Sequence, residues 1–284
     1  VTTIGYLGPK GTFTKMAVDS VFNGEEKVSF TTIPECIDAV EQGTIDIGVV
    51  PVENAIEGTV QLTVDYLVHQ VRLPITAEIV VPIKQHLLVH PNFYGDFSDI
   101  KEIHSHSHAI AQCHQFIHRD LPNAAIQYSS STGRAAELIS EKLDEPIAAI
   151  GNELAAKEYN LKILKEDIHD YPNNHTRFVV LTKDEELLKI KHSKEGEKTS
   201  LLITLPDDES GALHQILSAF AWRKMNLSKI ESRPTKTGLG NYFFIVDVDQ
   251  EYDDALFPGV KAELEALGCN VTVLGTYPVY NMKL

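Results

Sequence analysis

With 284 residues, 43% of them hydrophobic and 23% charged, the chain is long enough for two or three packed units and has the balance of a soluble globular protein, not a disordered one. A formal net charge of −15 argues against nucleic acid or an anionic membrane as the main partner, since the long-range field repels both, so an anionic ligand must meet a locally basic pocket. Cys36, Cys113 and Cys269 are odd in number, widely spaced and form no C-x-x-C pair, so neither a disulfide framework nor a zinc knuckle is suggested and a reducing cytoplasm is the natural compartment. The opening VTTIGYLGPKGTF has no basic leader or apolar core, and no apolar run approaches the ~20 residues of a membrane span, so neither export nor insertion is expected.

In chain order, TTIGYL reads as a strand, FTKMAVDSVF as a helix, VSFTTI as a strand, PECIDAVEQG as a helix and IDIGVVPV as a strand. The same α/β rhythm continues through ITAEIVVPI, LLVH, IKEIHS, AIAQCHQFIH, AIQYSS, GRAAELISEK, IAAIG, ELAAKEYN and TRFVVLT. Residues 1–183 therefore read as one α/β region in two lobes. The segment that follows, 184–198, is strongly charged and reads as a linker. Residues 199–284 give strand TSLLITL, helix GALHQILSAFAWRKMN, strands SKIESRP and NYFFIVDVD, helix ALFPGVKAELEALG and strand VTVLGTYPV. That βαββαβ order is the pattern of a ferredoxin-like unit.

Several stretches carry chemistry. In GYLGPKGTFT the glycines Gly5, Gly8 and Gly11 recur every third residue, and Thr12 or Thr14 can cap the next helix. Neither a dinucleotide fingerprint nor a P-loop has that spacing, which leaves a tight turn or a cradle for a small carboxylate. In IDIGVVPVENAIEGTV a buried strand delivers Glu53, Asn54 and Glu57 at its C-terminal end, where α/β folds place ligands. Asn54 is favoured, because an amide can bond a ligand without adding negative charge.

Five histidines fall within residues 104–118, HSHSHAIAQCHQFIH. His114 and His118 have the i, i+4 spacing of metal ligands but lack the companion glutamate of H-E-x-x-H, while Ile110, Cys113 and Ile117 supply a buried stripe. Metal is not expected here. Ser105, His106 and Gln112, like Ser131 and Thr132 in SSSTGRAAE, group hydrogen-bonding side chains at strand ends and helix starts. Finally, NNHTRFVVL opens an apolar strand with Thr176 and Arg177, the arginine being either a solvated edge charge or the partner of a carboxylate in a dry pocket.

Taken in order, GYLGPKGTFT, PVENAIEGTV, the SH…AQC segment, STGRAAE, AAIGNELAA and NNHTRF, then GALHQIL and ESRPTKTGLGNYFFIVD, resemble the prephenate dehydratase family with its phenylalanine-sensing ACT domain. The resemblance spans nearly the whole chain. It departs at Ser107 and His108, where the family usually has proline and glutamine, at Thr14, Ala55 and Gly133, and at Asp208, Glu209 and Ser210. What it implies is a catalytic region of two lobes like a periplasmic binding protein, followed by the ACT unit. It also implies conversion of prephenate to phenylpyruvate, carbon dioxide and water without cofactor or metal. Thr176 would stand near the leaving hydroxyl and Arg177 would clamp a carboxylate. Thr12, Asn54, Ser105, Gln112 and Phe178 would hold the substrate. Gly211, Ala212 and Leu213, with Glu231, Ser232, Arg233 and Pro234, match the family's phenylalanine-binding positions. A homodimer or homotetramer is implied, and a single activity, since no chorismate mutase segment precedes the first motif. The rival readings are an arogenate dehydratase, or a non-catalytic sensor of aromatic acids.

Overall fold

A computed structural model describes residues 1–143, 145–206, 210–235 and 242–283. The first lobe comprises β1 (Thr3–Leu7), α1 (Phe13–Val21), β2 (Glu26–Phe30), α2 (Ile33–Glu41), β3 (Ile47–Asn54), β4 (Gly58–Thr59), α3 (Gln61–His69) and β5 (Ile75–Pro82). The chain then crosses to a second lobe of β6 (His86–Val89), β7 (Glu102–Ser105), α4 (Ser107–Gln112), α5 (His114–Asp120), β8 (Ala125–Tyr128), α6 (Thr132–Ser140), β9 (Ile147–Gly151), α7 (Glu153–Glu158) and β10 (Lys162–Lys165). It returns as β11 (His175–Thr182), which inserts between β3 and β5. Two lobes joined by two crossing segments, with a cleft between them, is the architecture the family resemblance implied.

Local sequence sets the helix starts. Thr12 caps α1 through Lys15 N at 3.3 Å, and Ser131 caps α6 through Arg134 N at 3.0 Å. At α2, Thr32 and Glu35 bond each other's backbone in a reciprocal capping box, and Pro34 follows in the first turn. Alternation along the strands puts apolar residues on both faces of the first sheet. One face packs on α2 through Ile37, Val50 and Val179, and the other on α1 through Val18, Val49 and Phe178. The second lobe is likewise covered on two faces.

Beyond β11 the segment Glu185–Leu187 forms a short 3-10 turn, and Leu187, Leu188 and Ile190 pack on the first lobe's core. The charged segment read as a linker is thus held in part by its apolar residues, and its last residues already belong to β12. The C-terminal unit is β12 (Gly196–Thr204), α8 (Ala212–Ala221), β13 (Leu227–Pro234), β14 (Tyr242–Val248), α9 (Phe257–Ala266) and β15 (Asn270–Asn281). Its strand order β13-β14-β12-β15 is ferredoxin-like, with α8 and α9 on one face. The stretches 207–209 and 236–241, which include Asp208, Glu209 and the middle of ESRPTKTGLGNYFFIVD, lie outside the described residues.

β15 does not stop at the edge of this unit. After pairing with β12 it runs on, and Val279–Asn281 pair in parallel with Glu78–Val80 of β5. One ten-stranded sheet therefore passes through the C-terminal unit and the first lobe. The opposite face of the ACT-side strands, Phe243 and Ile245, packs on Val64 of α3.

Candidate active site

A cleft of about 810 Å³ opens between the lobes. The capping residues Thr12, Thr32 and Ser131 line it, so the N-terminal ends of three nine-residue helices, α1, α2 and α6, converge on one space. Their unpaired N–H groups and aligned dipoles favour an anion there. Among the described lining residues Arg134 is the only lysine or arginine, and it bonds Glu137 at 2.5 Å.

At the base of the cleft β3 and β11 run antiparallel with Asn54 opposite Thr176. Asn54 Oδ1 accepts from the backbone N–H groups of Ile56 at 3.0 Å and Glu57 at 3.1 Å, which fixes the amide's orientation. Its Nδ2 then donates to Thr176 Oγ1 at 2.9 Å. The threonine oxygen is thereby occupied as an acceptor, and its own O–H is left to donate. Phe178, two residues along the same strand face, forms the wall.

On the second lobe Gln112 lines the cleft, and its Oε1 accepts from Gln85 Nε2 at 3.4 Å. Gln85 is 2% exposed, and its Oε1 is buried with no partner. His106 caps α4 through a bond from His108 N at 3.3 Å. Burial and then the neighbouring His108 push its pKa below the ordinary histidine value, against a smaller opposite pull from Glu57. His106 is therefore neutral near pH 7.

The remaining histidines disperse. His104 is buried and bonds Glu102 at 2.9 Å, while His114 and His118 stack on the surface with ring centroids 6.1 Å apart. Among the described residues no group of three or more histidine, cysteine, aspartate or glutamate side chains is arranged to hold a metal ion.

Residues 4–186 match the family model described as prephenate dehydratase, and residues 199–268 match that of the ACT domain. The chain belongs to the prephenate dehydratase family. It is 55% identical to the prephenate dehydratase of Bacillus subtilis over 283 residues, which covers 98% of this chain and 99% of that one. Among solved structures it is similar to the prephenate dehydratase of Arthrobacter aurescens in complex with L-Phe, with a TM-score of 0.84, 36% identity and coverage of 97% of this chain and 90% of that one. The Staphylococcus aureus prephenate dehydratase gives a TM-score of 0.82 at 33% identity, covering 97% of this chain and 100% of that one.

Of the positions that the family resemblance assigned to substrate, Thr12, Asn54, Gln112, Thr176 and Phe178 line the cleft of this prephenate dehydratase, and two do not. Ser105 is fully buried and donates to Ile150 O at 2.7 Å, tying β7 to β9 instead of facing a ligand. Arg177 lies on the opposite face of β11 from Thr176, as strand alternation requires of adjacent residues. Its guanidinium bonds Glu53 at 2.6 Å, Glu78 at 2.6 Å and Asp247 at 2.8 Å. An arginine so placed cannot clamp a carboxylate in the cleft. Sequence reading missed Arg134 and Gln85. The first stands three residues past a capping serine, a cue that was available, whereas Gln85 sits in a lobe crossing that no motif marks.

The positions that the resemblance matches to phenylalanine binding divide between two faces. Gly211 caps α8 with φ 93°, and Ala212 and Leu213 begin that helix. On β13, Ser232 pairs with Phe244, whose side chain packs with α8. Glu231 and Arg233 point the other way. Arg233 bonds Asp65 of α3 at 2.7 Å, and Glu231 accepts from Thr59 Oγ1 at 2.5 Å. Pro234 ends the strand, exposed.

Proposed function

We propose that Thr176, held by Asn54, assists the departing ring hydroxyl as this prephenate dehydratase converts prephenate to phenylpyruvate, carbon dioxide and water. Aromatisation drives the reaction, so the protein must chiefly bind a dianion, orient it and stabilise the leaving oxygen. The observation that carries the reading is the Asn54 Nδ2 to Thr176 Oγ1 bond of 2.9 Å, in which the threonine oxygen accepts and its O–H is left to donate to a ligand. A threonine hydroxyl is too weak an acid to give up its proton outright, so its part is a preorganised hydrogen bond.

The helix ends capped by Thr12, Thr32 and Ser131, with Arg134, supply the carboxylate-binding side. Gln85 offers its free amide oxygen to a ligand hydroxyl, and Gln112 fixes the amide that does so. The test is turnover of prephenate by Thr176→Val and Thr176→Ser. Losing one preorganised donor costs about 10²–10³ in kcat, so valine should fall by that factor while serine stays within about tenfold. An active valine variant refutes the assignment.

Arogenate, which carries an ammonium where prephenate has a keto oxygen, is the second reading, because Glu57 and Glu137 line the cleft. Glu137 already faces a cation, Arg134, and the Glu57 carboxylate lies 3.9 Å from the His108 ring, which supports the keto acid as the preferred substrate. Comparing kcat/KM on the two acids decides.

For regulation, we take Gly211, Ala212, Leu213 and Ser232 as the phenylalanine-facing positions, in an interface between two ACT units of a homodimer or homotetramer. Leu213 and Leu217 on α8 and Ile230 on β13, all more than a third exposed, support a surface that a second copy covers. A cytoplasmic enzyme is supported by three cysteines that are all buried and unpaired.

A further inference from the structure

Thr176 and Arg177 are neighbours on β11 that face opposite ways, and Asn54 and Glu53 are their partners on β3. The ladder between the two strands is regular at Thr176–Asn54 and Arg177–Glu53, and before it Ala55 N donates to His175 O at 2.8 Å. On the other side the pairing jumps from Arg177–Glu53 to Phe178–Pro51, which leaves Val52 as an extra residue. Pro51 has no N–H to give, and the Val52 carbonyl is taken by Val60 N at 2.8 Å, away from β11. Beside the catalytic pair, then, the ladder is interrupted. At the last pair before the shift a side-chain bond, Arg177 Nη1 to Glu53 Oε2 at 2.6 Å, reinforces the backbone pairing.

Both ends of that bond are also held from the ACT unit. Asp247 of β14 bonds Arg177 Nη2 at 2.8 Å, and Lys229 of β13 bonds Glu53 Oε2 at 2.8 Å. Asp247 is itself oriented by Ser200 Oγ at 2.6 Å, and Ser200 contacts Tyr277 Oη at 2.7 Å. Behind them Lys198 of β12 reaches Glu78 of β5 at 2.9 Å. The Arg177 side chain is 17% exposed, Asp247 5% and Glu78 0%, so these bonds are poorly screened and sensitive to small displacements.

We infer that Arg177 is a positioning residue, which through Glu53 pins Thr176 opposite Asn54, and that the ACT unit adjusts the pin through Asp247 and Lys229. A displacement of β14 or β13 against the first lobe lengthens one of these bonds, frees Arg177 to turn, and slackens the register at Thr176. None of the four ionic groups lines the cleft, so the effect belongs in kcat. This inference rests on the role given to Thr176 above.

The experiment compares full-length wild type, Asp247→Asn, Lys229→Met and Lys229→Arg, with Thr176→Val alongside, for kcat, KM on prephenate and the response to L-phenylalanine. Asp247→Asn and Lys229→Met should lower kcat by about tenfold with KM within about twofold, the split expected when transition-state geometry and not substrate affinity is lost. Lys229→Arg, which keeps the cation, should restore kcat. Both low-activity variants should also lose most of the wild-type response to L-phenylalanine.

Unchanged kcat in both, or a rise in KM alone, overturns the inference, as does an intact L-phenylalanine response beside a lowered kcat. Lys229→Met decides the matter if Asp247→Asn does not fold. A Thr176→Val enzyme that still turns over fails the earlier reading. An inactive Thr176→Val beside wild-type-like Asp247→Asn and Lys229→Met fails this one alone.

Discussion

Replacing Arg177 by methionine keeps the stem of the side chain and removes the charge that three carboxylates share. Glu78, fully buried, would be left with Lys198 alone at 2.9 Å, and Asp247 with Ser200 at 2.6 Å. Burial alone would lower the pKa of Arg177, but Glu78 and Asp247 outweigh it and push the value far up, so the charge is firmly fixed in the fold. Breaking a buried ion pair by deleting one partner costs about 3–5 kcal/mol, because the other partner stays buried and uncompensated. In a chain of this size each kcal/mol lowers Tm by about 2–4 °C, so Arg177→Met should melt about 6–20 °C below wild type at pH 7. Adding Glu78→Gln to the methionine variant should recover part of the loss, since it removes the stranded anion. Differential scanning calorimetry reads both variants. High salt should leave the gap largely intact, as buried charges are weakly screened. A Tm within about 2 °C of wild type would refute the claim that this arginine neutralises a buried acidic set.

Three further outcomes can be checked together. Burial pushes Glu53 up, but Lys229 and Arg177 prevail and hold it below its ordinary pKa; a depressed carboxyl contributes stability that is present above the unfolded value of about 4.3 and lost as pH falls through the folded one. Melting followed from pH 7 downward should therefore steepen below about pH 4.3, and Glu53→Gln should flatten that limb. His106, depressed below about 6.5, should give kcat/KM an acid limb with an apparent pKa under that value, as protonation removes the ring acceptor that caps α4, and His106→Asn should abolish the limb. Gln85→Leu should raise KM for prephenate by about fivefold, the worth of one neutral hydrogen bond of about 1 kcal/mol, and should also lower Tm, because it removes the donor to the buried Gln112 Oε1 along with the unpartnered oxygen.

The alternation of strand and helix was readable from apolar spacing alone, and the βαββαβ order emerged from the same signal. Helix caps at Thr12, Thr32 and Ser131 follow local rules that act within four residues. The Thr176–Asn54 pair joins positions 122 apart, and only motif resemblance could nominate both members. Arg177 was misassigned although the correcting rule was at hand: if Thr176 faces the cleft, the next residue on a strand must face away. Ser105 was lost for a related reason, since a hydroxyl at a strand end can be claimed by the carbonyl of the neighbouring strand, here Ile150, and pairing partners are not written locally. Nor did the sequence mark where β15 leaves one unit for another. VTVLGTYPV reads as a strand whichever sheet receives it.

The passage of β15 into the first lobe makes the two units poor candidates for separation. Without Val279–Asn281, β5 would present Glu78–Val80 as an open strand edge, flanked by the apolar residues Ile75, Ala77 and Val81. Such an edge invites pairing with other chains. During synthesis the first lobe must hold that vacancy until the strand emerges, roughly 200 residues after β5, so its sheet closes by one of the longest-range contacts in the fold and is exposed to mispairing until then. A catalytic fragment cut after the linker would inherit the same open edge permanently.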